Sequence, residues 1–352
     1  MTKLKQFFII ALTTIVLLIL LEVLGLSLFF HKTGPYNSGI IYLSQQISTY
    51  LQNQRFFHFQ TEPTAKGMPL NEKAWLATFQ ERGLHPSHDE PREGYWGSRV
   101  NPKQKSTFLR YVERHQDIPR LIHVDKEGFQ YTAVPGSKPE YSILILGGSV
   151  AYGAYASTYA ETYFVKLAHL LAQKEIHAEI YVLAAGAWIS TDELLAFVLK
   201  GLNKSPDMVI FFDGLNDLTN IDKQYGRRTA AYLRNMEKAK TITAGYGMTI
   251  VYALQPFLPG KKKLTPLEKQ ILKMTKGVDG LAPYYEKMRC GLRSLEDNRQ
   301  AYFVDCSKIF DQETATTFTD IWHFTDPGHQ MVAEYLAEKL SGIIKHRPDQ
   351  SR

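Results

Sequence analysis

The chain has 352 residues, long enough for one large domain with additions, and an apolar content of 44% excludes a disordered chain and predicts a packed core. The net charge of +6 comes from scattered basic residues whose one run, Lys261–Lys263, follows Pro259-Gly260 and reads as a solvated loop. With no binding module in view this excludes a nucleic-acid partner, and the basic exterior suits an anionic surface such as phospholipid or cell-wall polymer.

Phe7–Phe30 is apolar except for Thr13, Thr14, Glu22 and Ser27. As a helix it would be about 36 Å long, enough for a hydrocarbon core of about 30 Å. Lys3 and Lys5 precede it, which predicts a cytoplasmic N-terminus and an extracytoplasmic remainder. A cleaved signal peptide is the competing reading, and the length of the apolar run favours an uncleaved signal anchor. Residues 1–32 are therefore read as stub and anchor, and 33–140 as a lead-in that packs on the main domain. In the lead-in, Ile40, Leu43, Ile47, Tyr50 and Leu51 recur at helical spacing, Asn71 can cap a short helix, and His85 and His88 read as surface residues.

From Tyr141 the pattern becomes regular. Ile143–Leu146, Glu179–Leu183, Met208–Phe212, Thr249–Leu254 and Ala301–Val304 read as buried strands alternating with amphipathic helices. Thr158 with Glu161, Ser190 with Glu193, and Thr265 with Glu268 have the spacing of capping boxes, and Asp326-Pro327 opens a last helix with Asp326 as its cap. Five strands alternating with helices predict a parallel sheet covered on both faces, over residues 141–345, with 346–352 as a tail. Cys290 and Cys306 lack any zinc spacing; in an exported domain they can pair, and as buried thiols they can stay free.

The chemistry-bearing residues fall at strand ends. The first strand runs into GGSVAYG, which puts Ser149 at a carboxyl end where open parallel sheets bind ligands. VLAAGAWIST follows the second strand and FFDGLNDL the third, and TDIWHFTDPGH precedes the final helix. A serine hydroxyl needs a base, an imidazole is one near neutral pH, and a carboxylate on its other nitrogen fixes the tautomer. Asp320 and His323 are three residues apart, so one tight turn can join them. Asp217 reads as a turn stabiliser and His329 as structural. Neither a P-loop, a dinucleotide fingerprint nor a G-x-S-x-G elbow is present, and no cofactor or metal is expected.

These blocks together resemble the SGNH (GDSL-type) hydrolase superfamily, membrane-anchored bacterial type, from about Ile122 to Ile344. IHVDKEGF before the first strand and Leu254–Pro256 after the fourth add to the likeness. The resemblance implies a three-layer α/β/α flavodoxin-like fold with a five-stranded parallel sheet of order 2-1-3-4-5. It implies Ser149 as nucleophile, Asp320 and His323 as the rest of a triad, and Asn216 and the Ser149 N–H as oxyanion donors. The second block departs from the family's pattern: its usual asparagine is replaced by Leu183 or Ala184, and either Gly186 or Trp188 takes the place of the donor glycine. The implied activity is ester hydrolysis through an acyl-serine, on O-acylated carbohydrate or lipid. An O-acyltransferase with the same triad, acting on a cell-envelope glycan, is the alternative, and a non-catalytic envelope-binding module is a further one.

Overall fold

In a computed structural model of the protein, the described residues are 103–104, 109, 112–113, 115–118, 122–219, 225–275, 278 and 280–346. The apolar span Phe7–Phe30, the 40–51 periodicity, Asn71, His85 and His88 lie outside them. No helix among the described residues is long and apolar enough to cross a membrane.

One sheet organises the domain. We number its strands β1 (Gln130–Ala133), β2 (Tyr141–Gly147), β3 (Ala178–Ala184), β4 (Met208–Asp213), β5 (Thr249–Leu254) and β6 (Ala301–Asp305). Their spatial order is β6-β5-β4-β2-β3-β1, with β2 through β6 parallel and β1 antiparallel to β3. The sheet is thus six-stranded and mixed, not a five-stranded parallel one, and it begins upstream of residue 141. The added strand follows a tight turn in the IHVDKEGF segment. There the Asp125 carboxylate accepts from Glu127 N and Phe129 N, turning the chain from Ile122–Val124 into β1. Gln130, Thr132 and the exposed Tyr131 give β1 no apolar run, because only one of its edges and part of one face are covered.

The central strands are buried on both faces. Ile143, Leu144, Ile145 and Leu146 are all fully buried, each worth about 1.5–3 kcal/mol relative to exposure. The covering helices are α1 (Tyr163–Ala172), α2 (Ser190–Leu199), the short α3 (Asn216–Thr219), α4 (Tyr225–Gly245), α5 (Pro266–Met274), α6 (Ala282–Leu295) and α7 (Asp326–Lys345). Val332, Leu336 and Leu340 of α7, and Phe164, Leu167 and Leu171 of α1, face the core.

Helix starts follow tertiary partners as much as local spacing. Thr265 and Glu268 form the predicted capping box on α5. Thr158 makes no side-chain cap: the chain there forms a 3-10 turn, Tyr159–Glu161, before α1, and Ala160 is exposed. Ser190 is the first residue of α2 rather than its cap, because its hydroxyl donates to Asp217. At α7 the cap is Thr325, whose hydroxyl accepts from Gly328 N, while Asp326 accepts from Ser157 N.

The lysine run is solvated at Lys262 and Lys263 but not at Lys261. Lys261 is buried and its ammonium donates to both Glu268 oxygens at 2.8 Å and to Ala315 O at 2.7 Å. Lys262 is well exposed and pairs with the largely buried Asp311. Cys290 and Cys306 are both free thiols, Cys290 exposed and Cys306 buried.

Candidate active site

The turn after β2 explains its two glycines. A side chain on Gly147 would land on the Phe212 carbonyl of the neighbouring strand, and one on Gly148 would collide with the Asn216 amide. The end of β4 and its loop therefore sit directly on the backbone that presents Ser149, and glycine is what allows the approach. Ser149 itself is half-buried, and the turn continues through Tyr152 N to Gly148 O and Ala154 N to Ser149 O.

His323 arrives from the loop before α7. Thr319 N donates to His323 O, and Phe318 bridges Phe324 across the loop. This closes Asp320–His323 into one tight turn over an edge-to-face cluster of Phe310, Phe318 and Phe324. Within it Asp320 Oδ1 accepts from Trp322 N at 2.7 Å and His323 N at 2.8 Å, and Oδ2 lies 2.7 Å from His323 Nδ1. His323 Nε2 lies 2.7 Å from Ser149 Oγ. Burial by itself would raise the Asp320 carboxyl; the His323 charge and these hydrogen bonds outweigh it and hold the carboxyl below its usual range. The result is a carboxylate, an imidazole and a hydroxyl in hydrogen-bonded line, which can remove a proton from Ser149 Oγ and store it next to a fixed negative charge.

The second and third blocks are tied together. Ala185–Trp188 forms a turn closed by Trp188 N to Ala185 O, with Ala187 in the left-handed region at φ +64°. Asn216 Nδ2 donates to Trp188 O at 2.8 Å, so its amide bridges this turn and Gly148. Gly186 lies in the same turn, and a Cβ there would meet nothing within 4 Å. Asp217 reinforces the join: its carboxylate accepts from Ser190 N at 2.8 Å and Ser190 Oγ at 2.7 Å, and Asn235 donates to the same hydroxyl. Burial pushes Asp217 up to about 7.

Asp326 and His329, adjacent in sequence to the Asp320 turn, do not converge with it on a metal. They face the loop after Ser149, Asp326 at Ser157 N and His329 Nε2 at Ala154 O. Among the described residues no group of His, Cys, Asp and Glu is arranged to hold a metal ion.

Residues 145–331, which hold these blocks, match the GDSL-like Lipase/Acylhydrolase family. The chain belongs to this family. No curated protein matches its sequence. Among solved structures it is similar to an acetyl xylan esterase, AlAXEase (15% identity, 56% of this chain and 99% of that one, TM-score 0.45). It is also similar to Axe2, an acetylxylan esterase from Geobacillus stearothermophilus (15% identity, 61% and 98%, TM-score 0.42). A third is an alpha/beta hydrolase enzyme from the metagenome of Lake Arreo, Spain (16% identity, 59% and 98%, TM-score 0.44).

What sequence reasoning missed in this GDSL-family site lies behind the blocks. Glu193 of α2 is fully buried, and neither of its oxygens has a partner other than the facing Asp213 carboxyl, whose Oδ1 accepts from Tyr232. Burial first, then the Asp213 charge, raises Glu193 well above its usual range, and burial raises Asp213 too, just ahead of the Gly214–Asn216 turn. Asp217 and Asp192 add further negative charge from α3 and from α2 itself. A raised native value means Glu193's contribution to stability is whole below its unfolded value of 4.5 and is lost as pH rises toward the native one. Glu193→Gln keeps a donor toward Asp213 and cannot ionise. Its melting temperature should therefore fall less than wild type's as the pH rises above 4.5; parallel curves would show that Glu193 does not hold its proton in the native protein.

Proposed function

We propose that the protein is a serine esterase of the GDSL type in which Ser149 is the nucleophile, His323 the general base and Asp320 the residue that orients and charges it. The observation that carries this reading is the unbroken line from Asp320 Oδ2 through His323 to Ser149 Oγ, with 2.7 Å at each junction. In the reaction His323 Nε2 takes the Ser149 proton as Oγ adds to the ester carbonyl. Collapse of the tetrahedral intermediate breaks the carbonyl–alkoxy bond, and the imidazolium returns the proton to the leaving alcohol. Water then attacks the acyl-serine with the same base, releasing the acid and free Ser149. The substrate is an O-acyl ester carried by a carbohydrate or a lipid, in keeping with the family's range. Fluorophosphonate labelling of Ser149, followed by turnover of O-acyl esters with and without an added sugar acceptor, tests it. Transfer outrunning hydrolysis would make the protein an acyltransferase, and absence of both labelling and turnover would end the reading.

The oxyanion is held by the Ser149 N–H, Asn216 and Gly186. An amide nitrogen has two N–H groups. The one given to Trp188 O fixes the plane, and the other serves a bound oxygen over Gly148. The Trp188 N–H donates to Ala185 O and so closes the turn in which Gly186 lies. Asn216→Ala should lose about 10²–10³ in kcat with KM little changed, because the bond matters only when charge develops. Asn216→Asp should be at least as poor. A kcat within about threefold of wild type in Asn216→Ala, worth less than about 1 kcal/mol, would reduce Asn216 to a turn residue.

A further inference from the structure

Tyr155 is in the left-handed region at φ +70°, a conformation that disfavours any residue with a Cβ and that glycine or asparagine would adopt more cheaply. The segment around it is fixed from several directions. Tyr163 donates to Ala151 O, Gln130 to Tyr152 O and His329 to Ala154 O, while Ser157 N donates to Asp326. Two of these bonds come from α7, the helix that follows directly on the His323 turn. Held this way, the Tyr155 side chain is 6% exposed and its ring covers the His323 imidazole, with centroids 4.7 Å apart and planes 35° from parallel. An unfavourable backbone conformation kept at a buried site points to something the side chain does there.

The aromatic face is electronegative, so it attracts a cation lying on it. His323 becomes a cation when it accepts a proton. The ionisable groups that face it are Asp320 on its own turn, Ser149 after β2, and His329 on α7, which burial pushes down to about 3 and so leaves neutral. Asp320 serves the ring edge at Nδ1, and Tyr155 serves one face. We propose that Tyr155 is a positioning residue for His323: its ring holds the imidazole plane against Ser149 and favours the imidazolium that forms as the serine proton leaves. The proposal rests on the reading of Ser149 and His323 as nucleophile and base.

Three substitutions in the full chain separate ring, hydroxyl and backbone. Tyr155→Phe keeps the ring and should match wild type within about twofold. Tyr155→Leu fills the space without a π face and should lose about three- to thirty-fold in kcat/KM, with the acidic limb of the pH–rate profile lowered by about one pH unit. Tyr155→Gly relieves the backbone and should lose the same activity and the same limb despite a gain in local conformational ease. Limbs that coincide with wild type in both ringless variants, or a Tyr155→Phe variant that behaves like Tyr155→Leu, would overturn the proposal. The pH midpoint of the His323 imidazole signal by NMR needs no turnover and keeps the two ideas apart. A midpoint lowered by Tyr155→Leu in a protein without esterase activity keeps the ring contact and removes the esterase reading. An unmoved midpoint in an active enzyme removes the role of Tyr155.

Discussion

Ser149→Ala and His323→Ala are each expected to lose about 10⁴–10⁶ in kcat toward an activated ester, and the double variant scarcely more than either alone. The reason is that Oγ and Nε2, 2.7 Å apart, act as one proton-transfer unit. Without the imidazole the hydroxyl is a poor nucleophile, and without the hydroxyl the base has nothing to activate in the first step. Asp320→Asn should cost less than either. It leaves the Trp322 and His323 N–H bonds an acceptor but offers the ring the wrong tautomeric partner and no charge. Circular dichroism and melting temperature should show all four variants folded. Losses of Ser149→Ala and His323→Ala that multiply in the double variant would mean that the two residues work independently, against the proposed mechanism.

The second large effect is on stability. Lys261→Met should destabilise the protein by about 3–5 kcal/mol, because it strands the buried Glu268 carboxylate. In the native protein all three ammonium protons are used, two on Glu268 and one on Ala315 O. Glu268 in turn accepts from Thr265 N, Thr317 N and the Thr317 hydroxyl. Thr317 O and Thr316 O receive Thr325 N and its hydroxyl, so the pair props up the segment that carries Asp320 and His323. Pairing Lys261→Met with Glu268→Gln removes the stranded charge but keeps an acceptor for only one of the two amides, since Thr265 N donates to Oε2 and Thr317 N to Oε1, and should recover part of the loss. Denaturant unfolding of the single and double variants measures both. A loss below about 1 kcal/mol in Lys261→Met would show that water reaches the carboxylate.

Sequence and structure diverge in an orderly way. Strands such as Ile143–Leu146 and Met208–Phe212 are legible because burial on both faces demands an uninterrupted apolar run. β1 is not legible, because an edge strand with a Gln-Tyr-Thr-Ala sequence carries no such demand. The Asp320–His323 turn is legible because its partners are three residues apart. In the lysine run Lys262 and Lys263 are exposed as charge ordinarily is, but Lys261 is buried, and nothing local announces that Glu268 waits across a capping box. The same holds for Ser190 and Asp326, which have the composition of caps but are drawn to Asp217 and Ser157. Tyr155 leaves no trace in the pattern, since a positive φ at a tyrosine has no composition signal.

The site also carries a consequence for how the chain is made. Ser149 and His323 are separated by 174 residues, and the loop after Ser149 takes its shape from the first turn of α7, at the far end of the domain. Contacts of such long sequence separation form late, after the loops they close have been ordered. During synthesis the strands up to β5 can assemble while Ser149 has neither its base nor the helix that frames its loop. On the proposed mechanism the serine therefore has no base in a chain that lacks the His323 turn, and its reactivity waits for the last segment to dock.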